Sequence, residues 1–208
     1  MLIYHTNFGP PLLQAGSQFI VGPHASVDPF NDDAAAELPT WKTYRGPTAG
    51  YGETVYCVVP EADGAGNARV ALIDAARRFG VALSYTADSL PCFNLWKNTD
   101  LDDCHGYVTG LEPATNFAYN RAKEREAGRV KTLGPGEEVT FALAWSFLRN
   151  ASEVTQVVGE IEAREGRGVA RAVEEEEAAK GREARLREEL EAQRRAAEEW
   201  HAVSRVKA

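Results

Sequence analysis

Two short segments of this 208-residue chain hold the residue types that proton transfer needs. Gly106-Tyr107-Val108-Thr109-Gly110-Leu111-Glu112-Pro113-Ala114-Thr115-Asn116-Phe117 sets one carboxylate, Glu112, in an otherwise uncharged strand pattern. Tyr107, Thr109 and Leu111 alternate with Val108, Gly110 and Glu112 at the period of a strand. A charge placed there is paired, hydrated in a cleft or shifted in pKa, because burying it alone is very costly. Glu112 therefore reads as an acid–base group facing a cleft or as an edge-strand Glu on a solvated face. The second segment opens the chain. Leu2-Ile3-Tyr4-His5-Thr6-Asn7-Phe8 is a short strand pattern stopped by Gly9-Pro10-Pro11. His5 is the side chain type that exchanges a proton near neutral pH without special tuning, and equally a common hydrogen-bonded rim or core residue.

The elements that must position these residues are short strands. The expected strands are Leu2–Phe8, Phe19–Val21, Glu53–Val59, Arg69–Asp74, Val81–Tyr85, Cys92–Lys97, Tyr107–Glu112 and Val139–Leu148, separated by Gly, Pro and Asp clusters. The pattern predicts an antiparallel sandwich or barrel. Asp63-Gly64 and Gly66-Asn67 predict a hairpin turn between Pro60 and Asn67. The charged run Arg121 to Arg129 reads as a short helical turn or a solvated loop.

After Leu148 the composition changes. Residues 151–208 contain no Pro and are dominated by Ala, Glu and Arg, which favours helix. Val154, Val157, Val158 and Ile161 form an i, i+3, i+4, i+7 stripe that predicts a helix over 152–163 packed on the β domain, with Ser152 as N-cap. From Gly168 onward the chain is expected to stay exposed. Leu186, Leu190, Gln193, Ala197 and Trp200 form a short, impure heptad seam, read as a solvated helix or as a self-association surface over 186–200. Two units follow: a β domain over 1–150 and a helical extension over 151–208.

The formal net charge of −8 argues against generic nucleic-acid binding. No apolar run is long enough for a transmembrane helix, and the N-terminus lacks a signal-peptide pattern, so a cytoplasmic address is expected. Cys57, Cys92 and Cys104 form no disulfide framework. Cys104-His105 has no second ligand pair, so no metal site is expected.

Three segments resemble the aldose 1-epimerase (galactose mutarotase) superfamily, and more closely its branch known as a domain of unknown function. Tyr4-His5-Thr6-Asn7-Phe8-Gly9 resembles that family's His-containing strand, Gly50-Tyr51-Gly52-Glu53-Thr54-Val55-Tyr56 its sugar-binding acidic segment, and Leu111-Glu112-Pro113 its Leu-Glu-Pro segment. Leu90 to Thr99 and Leu133 to Glu137 carry further likeness to the branch. The resemblance implies a mainly β fold, a partial mutarotase-like antiparallel sandwich corresponding to the C-terminal half of such a domain, with the helical extension added. It implies a sugar as partner, Glu112 as general base and His5 as general acid, no cofactor, and Glu53 at or near the sugar-binding position. Asn7 and Asn116 are then expected to bind sugar hydroxyls, and Trp96 and Phe117 to cover a sugar's C–H face; equally, Trp96 in its apolar strand reads as a core residue and Asn116 as the holder of a turn after Pro113. Lys97 is expected to pair with an anionic sugar or with Asp100 or Asp102. The acid and base are expected on one cleft, roughly 5–8 Å apart with a sugar ring between them. The alternatives are a carbohydrate-binding or interaction protein without turnover, and a truncated remnant.

Overall fold

In the computed structural model, residues 1–101 and 106–163 are described. Nine strands make two antiparallel sheets among these residues. The strands are β1 (Thr6–Phe8), β2 (Gln18–Val21), β3 (His24–Pro29), β4 (Thr54–Pro60), β5 (Asn67–Ile73), β6 (Gly80–Thr86), β7 (Cys92–Asn98), β8 (Val108–Ala114) and β9 (Leu143–Leu148). One sheet has the order β1-β8-β7-β4-β3 and the other β2-β5-β6-β9. Among the described residues, three α-helices, α1 (Asp32–Glu37), α2 (Arg121–Glu126) and α3 (Ala151–Glu162), pack around them, and a 3-10 turn over Leu38–Thr40 follows α1. The fold is mainly β, a two-sheet antiparallel sandwich with a C-terminal helix, as the sequence predicts.

Alternation along the strands decides what each face does. Phe19, Tyr56, Val58, Val70, Leu72, Leu83, Tyr85, Phe93, Leu95 and Leu111 point between the sheets and form the main core. The outer face of the four-stranded sheet is covered by α3, whose Val154, Val157, Val158 and Ile161 meet Ile20, Ala71, Ile73, Ala82 and Leu148. Each such side chain contributes at most about 1.5–3 kcal/mol through burial. Arg69 on β5 pairs with Glu160 of the same helix. The N-cap is Asn150, not Ser152: its extended backbone lets its side chain accept from the Glu153 N–H. Ser152 already lies in the first turn and cannot cap it.

Several elements differ from the sequence expectation. The sequence pattern predicts neither strand β3 nor helix α1, the first strand begins at Thr6 rather than Leu2, and the last begins at Leu143 rather than Val139. The turn at Asp63 forms, with the Asp63 side chain accepting from the Ala65 and Asn67 N–H groups. It does not join a hairpin, because β4 and β5 lie in different sheets. Turn chemistry fixes a local reversal and leaves the pairing partners to be chosen by burial. The run after Asn120 is a helix with a buried anchor rather than a solvated loop. Glu124 is fully buried, accepts from the Phe117 N–H at 3.1 Å and is held by Arg129 through two contacts of 2.8 Å.

This anchor matters for the outer face of the five-stranded sheet. Phe117 packs there with Cys57, Cys92 and Ala114, so the segment after β8 covers one end of the face. The other end, along β1 and the adjoining half of β7 and β8, carries the polar residues described next. The predicted extension from Gly168 and the proposed 186–200 seam lie outside the described residues, as do Asp102 and Cys104.

Candidate active site

Strand register builds the site in two rows across the outer face. Val55, Trp96, Gly110 and Asn7 are successive cross-strand partners, and so are Cys57, Asn94 and Glu112 in the next row. Paired residues share a face, so Asn7, Trp96 and Glu112 point the same way. His5 lies two residues before Asn7 and meets Glu112 directly: its Nε2 is 3.0 Å from Glu112 Oε1. The expected gap of one sugar width is therefore replaced by contact. The reason is Gly110. A Cβ on Gly110 would overlap Glu112 Oε1 and sit 3.0 Å from His5 Cε1, so its absence makes the hollow into which both side chains lean.

The two groups have unlike environments. The Glu112 side chain is 5% exposed and that of His5 is 47% exposed. Burial pushes the Glu112 carboxyl up to about 7, because the charged form loses water. Although Nε2 is close, Oε1 receives no aligned hydrogen bond. A buried carboxylate oxygen without an aligned donor is a place for an incoming hydroxyl, and such bonds often tighten only in the bound complex.

Trp96 borders the pair. Its ring meets the His5 ring edge-on at 5.5 Å, and its indole N–H donates to Glu53 Oε2 at 2.8 Å. Glu53 is thus held against the tryptophan, at the same end of the sheet. Asn7 is exposed on β1 beside Gly110. Asn116 and Phe117 are placed differently. The Asn116 side chain accepts from the Leu2 N–H and donates to the Phe117 carbonyl, and it is fully buried. Phe117 is covered by the cysteine cluster. Neither side chain reaches the solvent beside His5; both shape the loop that also binds Asn94, the cross-strand neighbour of Glu112.

Lys97 faces the core, contrary to expectation, because it is one residue out of phase with Trp96. It is 1% exposed, donates to the Trp41 and Thr43 carbonyls at 3.2 and 2.9 Å and sits 4.8 Å from the Tyr44 ring centroid. Burial lowers its pKa to about 8. It pairs with neither Asp100 nor a group on the site's face. Gly110 is the residue that sequence reasoning missed. An isolated Gly inside a strand pattern signals close approach of other atoms, and that signal was present. Among the described residues no group of three His, Cys, Asp or Glu side chains is placed to hold a metal, and no helix is long and apolar enough to cross a membrane.

A mutarotase-like β-sandwich with a His–Glu pair on the outer face of its larger sheet is the class that fold and geometry define. The chain belongs to the family described as Domain of unknown function (DUF4432), whose model matches residues 1–147. It is also similar to a solved protein from Klebsiella pneumoniae subsp. pneumoniae MGH 78578, described as a "putative aldose 1-epimerase", with 41% identity and a TM-score of 0.74. That match covers 76% of this chain and 41% of the Klebsiella chain, so this chain spans less than half of that protein's length. No curated protein matches the chain.

Proposed function

We propose that this chain carries the acid–base pair of an aldose 1-epimerase-type isomerase, with an aldose as substrate. The observation that carries the proposal is the contact between a buried carboxyl raised to about 7 and an exposed imidazole on one sheet face. The family match and the likeness to the Klebsiella protein support the same reading.

Ring opening needs two proton transfers. Glu112 removes the proton from the anomeric hydroxyl while protonated His5 gives one to the ring oxygen. The bond between the anomeric carbon and the ring oxygen breaks, and an open-chain aldehyde forms. Rotation about the adjoining C–C bond and reclosure run both transfers backwards and give the other anomer. The two oxygens share one carbon, so the groups serving them can be neighbours. The 3.0 Å contact is therefore compatible with the chemistry once a sugar inserts its oxygens between them. A carboxyl near 7 is matched to reversible transfer at neutral pH, and each positioned group contributes about 10²–10⁴-fold.

Trp96 then offers an apolar surface to the sugar, with Glu53 fixing the indole, and Asn7 offers an amide to a hydroxyl. Asn116 and Phe117 support the loop beside Glu112. The test is polarimetry of freshly dissolved aldoses with and without the protein. Anomer equilibration faster than the spontaneous rate for at least one aldose supports the reading; unchanged rates across hexoses and pentoses refute it.

A further inference from the structure

Just before β4 the chain makes a closed turn that faces α1. The Thr48 carbonyl accepts from the Tyr51 N–H, and the Asp100 side chain accepts from the Gly50 N–H, so the turn is held in place. The Asn31 side chain, which caps α1, donates to the Glu53 carbonyl and ties that helix to the same segment. Between turn and helix, Asp33, Glu37, Arg45, Thr48, Tyr51 and Gly52 line a cavity of about 280 Å³. The Glu53 side chain turns instead to the Trp96 indole.

The wall of this cavity is locked by its own side chains. Arg45 meets Glu37 Oε1 at 3.0 Å, and the Tyr51 hydroxyl donates to Glu37 Oε2 at 3.0 Å. The Glu37 side chain is 11% exposed and that of Arg45 56% exposed, so the guanidinium keeps further N–H groups for a ligand. Asp33 comes close because residue 52 is glycine: a Cβ there would stand 2.6 Å from Asp33 Oδ2. Behind the turn the Thr99 hydroxyl is buried beside Tyr51 and has no aligned partner among the described residues. A buried hydroxyl left over in this way is a place for a water or a ligand hydroxyl.

We propose that this cavity binds a neutral, hydroxyl-rich ligand, a sugar ring or sugar alcohol, apart from the His5–Glu112 hollow. The charges disfavour the alternatives: an anion meets Asp33 and Glu37, and a cation meets the guanidinium that already serves Glu37. A polyol meets neither penalty, because each hydroxyl both donates and accepts. Its hydroxyls donate to the Asp33 carboxylate and accept from Arg45, in charge-assisted bonds about twice as strong as neutral ones. Ligand pockets start at roughly 300 Å³, so this cavity takes a single ring or a short chain. The ligand is a separate molecule or the far unit of a longer sugar that also reaches Glu112, since Gly52 adjoins Glu53 and Glu53 holds Trp96. The inference rests on the cavity's own groups and not on the proposed chemistry.

The test follows the backbone amides of the full chain by NMR while methyl α-D-glucopyranoside, sorbitol and maltose are added in turn. The methylated anomeric oxygen of the first blocks ring opening, so binding is read without turnover. The expected result is saturable shifts of the amides of residues 33–37 and 45–52. Gly52→Ala, which pushes Asp33 aside, and Arg45→Met each weaken binding by about tenfold. Glu112→Gln leaves these shifts unchanged, which separates this site from the isomerase reading. Saturation by the glucoside or sorbitol supports the site as one for a separate ligand. Maltose shifting this cavity together with His5, Trp96 and Glu112 at one affinity supports it as the seat of a longer sugar's far unit. The proposal is overturned by no saturable shift, by shifts confined to His5, Asn7 and Trp96, or by insensitivity to both variants. Inorganic phosphate or methylammonium shifting the same amides at lower concentration than any of the polyols overturns it too.

Discussion

Adding one methyl group at Gly110 separates the His–Glu pair from the fold that carries it. A Cβ there overlaps Glu112 Oε1 and crowds His5 Cε1. The carboxylate must retreat by about 1 Å to restore van der Waals contact at roughly 3.5 Å. Its backbone is fixed by pairing to Asn94, so the retreat is by side-chain rotation, away from the hollow and toward water. Two effects follow. The burial that raises Glu112 to about 7 is reduced, and its pKa falls toward the ordinary carboxylate range. The reacting geometry is lost by about 1 Å, which costs on the order of 10²-fold in rate. Stability moves little, because Ala in a strand interior gains roughly 0.5–1 kcal/mol over Gly and offsets the local crowding. The assay is a carbon-NMR titration of Glu112 in wild type and Gly110→Ala, with an unfolding curve for each. The reasoning is refuted if Glu112 in the folded mutant still titrates near 7 and the pair remains in contact.

Further outcomes follow from the same structure. Raising Glu112 from 4.5 to about 7 costs roughly 3 kcal/mol of stability above pH 7 as an upper figure. That stability is fully present below the unfolded-state value and is lost as pH rises through about 7, so Glu112→Gln should be relatively more stable than wild type at pH 8 than at pH 4, by thermal melts. Burial pushes the Glu124 carboxyl up, but the hydrogen bonds from Arg129 and the Phe117 N–H outweigh it and hold it low. Arg129→Met should therefore cost about 3 kcal/mol near neutrality in denaturant unfolding. The difference should shrink as pH falls through the depressed value, where wild type loses the contribution. Val158→Asp, which puts a charge at a 3% exposed position under α3, should lower stability by about 3 kcal/mol or more.

Much of the sandwich was legible because its signal is local. Val70, Leu72 and Leu83 alternate with more exposed or outward residues, and Val154, Val157, Val158 and Ile161 recur at helical spacing, so periodicity alone found these elements. Strand β3, with Pro29 and mostly half-buried residues, has too weak an alternation to be seen. Helix α1 is six residues long, below the length at which periodicity speaks. Pairing was illegible, as the Asp63 turn shows: nothing near it says that β4 and β5 enter different sheets. At the site, residue type singled out His5 and Glu112, and the resemblance joined them. Their contact was hidden because it depends on Gly110, a residue with no side chain. Lys97 was misread because a one-residue phase difference from Trp96 decides whether a side chain meets water or core.

The account's central claim is that Glu112 and His5 open and close a sugar ring. Magnetisation-transfer NMR between the two anomers of an aldose, recorded with the full chain, tests it most directly. The account predicts exchange above the spontaneous rate for at least one aldose, and its loss in Glu112→Gln, whose amide keeps the shape but accepts no proton. Exchange that survives in Glu112→Gln, or no acceleration for any aldose tested, would contradict it.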